Sequence, residues 1–259
     1  MQQEWKIYRY KMFRNNDEAH EHILQVLNQL YEYDDFMMSI KTVADLGCGA
    51  GKDIEWWATR TTRDQYQKPL NISCQGIDIL DSLPIANEYR NITYQKADFE
   101  GIISTPPEKF DVLWCNNAFQ YAVNPIQTLI NWRSIAATEA MLVLAIPQTT
   151  NIYHKELDFT QQDGCYYHHT IVSLIHMLSI AGWDCKAGFF KKSNADNWLY
   201  AIVYNSKKEP LDPKTTRWYD LVDAKLLPDS ADKSILAKGF LDQKDLILPW
   251  IDKSLSFVG

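Results

Sequence analysis

From residue 42 onward, apolar positions follow two alternating rhythms. Runs at 42–46, 72–79, 92–97, 110–115 and 141–146 are short and nearly continuous, as expected of parallel strands buried on both faces. The last of them, MLVLAI, is the most apolar stretch in the chain. Between the strands, Ile126, Leu129 and Ile130 share one helical face, and Ile171, Leu174, Ile175 and Leu178 share another. Asn124-Pro125 predicts the start of the first helix, because Asn caps the free amides and Pro is pre-set for the first turn. Thr170 is the expected cap of the second, and Gly182 its stop. Two further strands, 184–191 and 198–205, flank the polar turn 193–197 and predict a hairpin. Ahead of this array, 16–31 reads as an amphipathic helix with Ile23, Val26, Leu27, Leu30 and Tyr31 on one face. Behind it, Pro210, Pro213, Pro228 and Pro249 cut the chain into pieces, of which 215–227 and 230–240 are predicted helical, the first with a face of Trp218, Leu221 and Val222. The pattern is that of an α/β fold. It divides the chain into an N-terminal helical extension (1–41), a core (42–206) and a C-terminal helical extension (207–259).

The chemistry is concentrated where the first strand ends. Residues 43–51, VADLGCGAG, pass from a buried strand into a glycine-rich turn, and a helix over 52–62 is expected to follow. Gly47, Gly49 and Gly51 leave room for a ligand against the backbone. A dinucleotide fingerprint needs a further glycine where Lys52 stands, and a phosphate loop needs Ser or Thr after Gly51-Lys52, where Asp53 stands. An acidic residue is also a poor neighbour for phosphate. The alternative is a turn with a purely structural role.

The remaining pattern, D-x-G-x-G-x-G over Asp45 to Gly51, resembles motif I of the class I S-adenosylmethionine-dependent methyltransferases, and the likeness extends over 42–206. It implies a three-layer Rossmann-like fold, with a mostly parallel seven-stranded sheet in the order 3-2-1-4-5-7-6. Ligands of such open sheets bind outside the carboxyl ends of the strands, where the order reverses. The resemblance assigns Asp45, Gly47, Cys48, Gly49 and Gly51 to the cofactor turn. Asp78, with Ile79 beside it, becomes the ribose ligand, since a carboxylate can accept from both hydroxyls. Asp98 and Phe99 correspond to the adenine site, although Asp98 has an equally simple reading as a turn-starting residue. Asn116 opens the exit of the fourth strand, at the edge where the methyl group would lie. The cofactor implied is S-adenosyl-L-methionine, with S-adenosyl-L-homocysteine as product. Transfer would be an in-line displacement that asks the protein mainly to align, desolvate and deprotonate.

Composition narrows the partners. With 259 residues and 46% hydrophobic content, the chain can bury one substantial core, and a single domain is expected. No apolar run approaches the length of a membrane span and no signal peptide is visible, so a cytoplasmic location is expected. The five cysteines form no C-x-x-C pair and read as shielded thiols. A formal net charge of -7 opposes nonspecific nucleic-acid binding, and the short basic stretch Lys6, Arg9, Lys11, Arg14 reads as a solvated face. Nor does 116–119, NNAF, match the Asn/Asp-Pro-Pro-Tyr/Phe pattern of DNA amino-methyltransferases. A small-molecule acceptor is the expectation, and the pattern carries no signal of oligomeric state.

Acceptor choice is expected in the segments outside the common core. The 16–31 helix packs on the sheet or folds over the cofactor as a lid, and 147–169 carries His154, Asp158, Asp163, Tyr166, Tyr167, His168 and His169. No repeated ligand spacing supports a metal site, so none is expected. His168 and His169 are candidate general bases because His titrates near neutral pH; helix capping or solvent exposure is the plainer reading of each. Tyr121 and Gln120 are alternative lining groups. Three functions fit: a methyltransferase acting on an oxygen or nitrogen, a binding or assembly module that keeps the fold without turnover, and a nicotinamide-dependent oxidoreductase.

Overall fold

A computed structural model describes residues 24, 27–28, 30–32, 35–79, 88–101, 109–147, 167, 169, 171–193, 198–206 and 210–223. Its strands are β1 (Thr42–Leu46), β2 (Ser73–Asp78), β3 (Ile92–Lys96), β4 (Phe110–Asn116), β5 (Ala136–Pro147), β6 (Asp184–Ser193) and β7 (Trp198–Tyr204). They form one sheet in the order β3-β2-β1-β4-β5-β7-β6, as the resemblance implied. The first five run parallel, and β7 is antiparallel to both β5 and β6. The helices are α1 (Phe36–Ser39), α2 (Lys52–Ala58), α3 (Pro125–Ile135), α4 (Ile171–Ile180) and α5 (Trp218–Asp223), with a 3-10 turn at Phe119–Tyr121.

Alternation along the central strands builds two apolar layers. Ala44, Leu46, Leu113, Cys115, Leu142 and Leu144 face one way, onto α3, α4 and Leu221 of α5. Val43, Val112, Trp114, Met141 and Val143 face the other way, onto Leu27, Met37, and Ile54 and Trp57 of α2. Every residue of β1 is buried, which is why the strand reads as an apolar run and not as an alternation. Each fully buried aliphatic or aromatic side chain contributes about 1.5–3 kcal/mol, so this two-sided core holds the sheet centre rigid. Residues 24, 27–28 and 30–32 are helical, with Leu27 buried and Leu24, Leu30 and Tyr31 packed on the α2 layer. The inward face expected for 16–31 is therefore realised where it is described; Ile23 and Val26 lie outside the described residues.

Several expectations need correction. The helix expected over 52–62 stops at Ala58, because the Thr59 hydroxyl takes the Glu55 and Trp56 carbonyls and the Arg60 Nε also donates to Trp56 O. The chain then doubles back through a bridge between Thr61 and Pro69. On α3 the buried face is Pro125, Thr128, Leu129, Trp132 and Ile135, while Ile126 and Ile130 are only partly covered. Thr128 can go inside because its hydroxyl bonds Asn124 O and Glu100. The fifth strand begins five residues earlier than its apolar run, directly from α3. The register slips between Phe110↔Ala136 and Val112↔Met141, and the Asn205 amide holds the extra loop by donating to Ala136 O and Ala137 O. Helix α5 starts later than residue 215, since Asp212 organises a turn that accepts from Lys214 N and Thr215 Oγ1. The expected cap Thr170, the hairpin turn at 194–197, and residues 224–227 and 230–240 lie outside the described residues.

Candidate functional site

The carboxyl ends of β1, β2, β3 and β4 converge on the glycine turn, which β2 holds in place. Gly47 N and Cys48 N both donate to Ile77 O, at 2.8 and 3.1 Å, and Gly51 N closes the turn on Cys48 O at 2.9 Å. All three turn glycines have positive φ, a conformation that disfavours any Cβ. Their surroundings differ. A Cβ on Gly47 would lie 2.2 Å from Ala118 Cβ, so this glycine admits the exit of β4. One on Gly51 would lie 2.3 Å from the Tyr94 hydroxyl, and Gly76 of β2 yields to the same ring. Only a Cβ on Gly49 would meet open space. Of the three glycines expected to leave room for a ligand, two instead leave room for the protein itself.

Asp78, at the end of β2, is 7% exposed, and its Oδ2 accepts from Gly49 N at 2.9 Å. The carboxylate thus faces the turn and ties β2 to the open glycine; the neighbouring Ile79 is 49% exposed. Beyond β3, Asp98 is exposed and accepts from Glu100 N at 2.9 Å, the turn-starting geometry that was its plainer reading. Phe99 lies 3.8 Å from the position of a Gly47 Cβ, with its ring tilted against Trp132 at 5.9 Å. It borders the turn while anchored in the core, and its carbonyl accepts from Trp132 Nε1.

Asp45 is 2% exposed, and its Oδ2 has no hydrogen-bond partner among the described residues. Burial above all, then the charges of Asp53 and Asp78, push its carboxyl well above the usual range. The same burial raises the Cys48 thiol, with Asp45 and Asp78 next in effect, and drives Tyr94 up to about 12. Three carboxylates around one turn make an environment suited to a cation and hostile to a pyrophosphate. Among the described residues, no three His, Cys, Asp or Glu side chains are placed to hold a metal ion.

Sequence reasoning missed Asp53 except as the residue that spoils a phosphate loop. In the structure its Oδ2 accepts from Trp114 Nε1 at 2.7 Å and from Asn116 Nδ2 at 2.9 Å, joining α2 to the end of β4. Asn116 Oδ1 is buried with no partner among the described residues. The partners are 63 positions apart, so no local pattern could signal the contact. Tyr94, which fills the space of Gly51 and Gly76, was likewise not singled out.

At the exit of β4, Gln120 is buried and donates to Asn117 Oδ1 at 2.6 Å. Tyr121 is half-buried at the end of the 3-10 turn. His169 is 2% exposed and stacked on Phe119 at 5.5 Å, which corrects the solvent-facing reading for this residue. Tyr167 follows at 6.4 Å from His169 and donates to Val123 O at 3.0 Å, fastening the long connection to the β4 exit. His168, His154, Asp158, Asp163 and Tyr166 lie outside the described residues. A separate cavity of about 480 Å³, lined by Lys109, Arg133, Ser134 and Asn205, opens at the amino end of β4, away from the glycine turn.

Residues 44–144 match the family model described as a methyltransferase domain. The match begins inside β1 and ends inside β5, so the matched stretch contains the glycine turn, Asp78, Asp98, Phe99, Asp53 and Asn116. No curated protein matches the sequence. Solved structures share the fold. The plantazolicin methyltransferase BpumL, solved with a triazolic desmethylPZN analog and SAH, superimposes with a TM-score of 0.56 at 13% identity, covering 78% of this chain and 90% of its own. A candidate S-adenosylmethionine-dependent methyltransferase from Listeria monocytogenes gives 0.53 at 16% identity, covering 74% and 99%. A candidate methyltransferase solved with the Haloferax volcanii Trm112 methyltransferase activator gives 0.51 at 13%, covering 73% and 95%. Among the described residues of the chain, no helix is long and apolar enough to cross a membrane.

Proposed function

We propose that the protein transfers the methyl group of S-adenosylmethionine to an oxygen or nitrogen of a small-molecule acceptor. The observation that carries this reading is the pairing of an open face at Gly49 with a buried carboxylate, Asp45, whose Oδ2 has no partner among the described residues. A ligand with a flat adenosyl body and a cationic amino-acid end answers both features; a dinucleotide brings negative charge to a ring of carboxylates. The backbone of 47–51 would carry the ligand, Asp78 the ribose hydroxyls, Asp98 and Phe99 the adenine, and Asp45, Cys48 and Asn116 the amino-acid end. Bound there, the cofactor supplies an already activated methyl group. The partly covered turn between β1, β2 and β4 aligns what enters it.

His168, His169 and Tyr121 are assigned to acceptor orientation and proton removal, with His169 set in the wall by its stack on Phe119. Residues 16–31 and 147–169 are assigned to acceptor selection, and the protein is assigned to the cytoplasm. Calorimetry with S-adenosylhomocysteine tests the reading: the wild-type chain should bind it in preference to NAD, and Asp78→Ala should weaken binding at least ten-fold, the loss expected for hydrogen bonds to a charged group. No heat and no thermal shift with the wild-type chain would overturn the assignment.

A further inference from the structure

Asp45 and Trp114 are register partners on β1 and β4, and Asn116 follows two residues later, so all three project to the side of the sheet that α2 covers. Asp53 stands in the first turn of that helix and accepts from Trp114 Nε1 and Asn116 Nδ2 through the same oxygen. An amide whose nitrogen is held in this way turns its oxygen in the opposite direction. That oxygen, Asn116 Oδ1, is buried and meets no donor among the described residues, and the same is true of Asp45 Oδ2 one strand away. Leaving a buried acceptor unpaired is costly, and two such oxygens on one face of neighbouring strands call for a ligand with several N–H donors.

We propose that Asp53 is a positioning residue, which locks the Asn116 amide so that its oxygen, together with Asp45, receives the primary ammonium at the amino-acid end of the ligand. The inference rests on the methyltransferase reading and assigns within it a role to a residue of α2 that never touches the ligand. Trp114 is the second half of the device. Its indole N–H occupies the Asp53 oxygen from one side and prevents the carboxylate from rotating away from Asn116. A plain tie between α2 and β4 would instead support the whole site without distinguishing one end of the ligand from the other.

The test compares two probes by calorimetry on the full chain: S-adenosylhomocysteine, which has the ammonium, and 5′-methylthioadenosine, which lacks the amino-acid end. Asn116→Ala and Asp53→Ala should each lower affinity for S-adenosylhomocysteine by about ten-fold or more, the scale of a hydrogen bond to a charged group, while affinity for 5′-methylthioadenosine changes less than about two-fold. Asp53→Asn keeps the shape and an oxygen that can accept from both Trp114 Nε1 and Asn116 Nδ2, so it should retain the preference for S-adenosylhomocysteine. Asp53→Leu, similar in shape but without an acceptor, should show the same selective loss as Asp53→Ala and carries the test if Asp53→Ala fails to fold. Equal losses for both probes, or no loss for either, would overturn the positioning role while leaving the cofactor assignment intact. A wild-type chain that binds neither probe would overturn the cofactor assignment itself.

Discussion

An added methyl group at Gly47 would sit 2.2 Å from Ala118 Cβ, whereas at Gly49, two residues along the same turn, it would touch nothing within 4 Å. Both glycines have positive φ, at 83° and 51°, so both substitutions share the left-handed penalty of about 1–2 kcal/mol. Gly47→Ala adds overpacking of about 1–3 kcal/mol, because the contact is with main-chain-anchored carbon and not with the end of a flexible side chain. Urea unfolding should therefore show a much larger loss for Gly47→Ala than for Gly49→Ala. Binding of S-adenosylhomocysteine should show the opposite sensitivity per unit of lost stability, with Gly49→Ala folded but impaired. Equal unfolding midpoints for the two variants would contradict this division of labour. The motif spells three equivalent glycines, and only the packing of Ala118 and Tyr94 reveals that they do different things.

Individual elements are held by contacts that cross between them. Helix α3 begins where expected, with Asn124 Oδ1 accepting from Gln127 N at 3.3 Å. Its amino end has a second, stronger acceptor in Glu100, which takes Val123 N at 2.8 Å, Asn124 N at 3.0 Å and the Thr128 hydroxyl at 3.2 Å. A carboxylate at this end of a helix also answers the partial positive charge of the free amides. Glu100→Ala should cost about 1–2 kcal/mol in chemical denaturation, with a smaller loss for Glu100→Gln, which keeps an acceptor but not the charge. An unchanged midpoint in Glu100→Ala would show that Asn124 caps the helix alone. Because Glu100 follows directly on Asp98 and Phe99, the same contact sets the β3 exit against the β4 exit, so the turn next to the proposed adenine site is fixed by α3, which also meets it through Trp132 Nε1 on Phe99 O. The missed boundaries have the same origin: the early start of β5 depends on the Asn205 amide, and the early end of α2 on the Thr59 hydroxyl.

For the molecule as a whole, the sheet separates two apolar layers, and Asp45 is a carboxyl group at its centre. Burial raises its pKa in the folded state, while the unfolded chain leaves it near the ordinary value of about 3.9. Below that value the carboxyl is protonated in both states and costs nothing; as pH rises toward and through the folded pKa, ionisation increasingly favours the unfolded chain. Asp45→Asn keeps the shape and removes the ionisation. The variant should match the wild type near pH 4 and become progressively more stable than it toward neutral pH, read as global unfolding free energy against pH. A cationic ligand favours the ionised form of Asp45, so the gain in stability should come with a loss of S-adenosylhomocysteine affinity. A stability difference that shrinks as pH rises would have the wrong sign for this account.

The sequence by itself determined the succession of strands and helices, because each buried strand must be apolar throughout and each surface helix must keep one face apolar, and both requirements are written in nearest neighbours. It also determined the location of the glycine turn and, through the resemblance, the sheet order. Tertiary structure alone decided which glycine has open space beside it, that His169 is packed on Phe119, and that Asp53 holds Asn116 and Trp114. Those facts depend on groups brought together across the fold from positions tens of residues apart. A hydrogen bond or a methyl contact between such groups leaves no periodic trace along the chain.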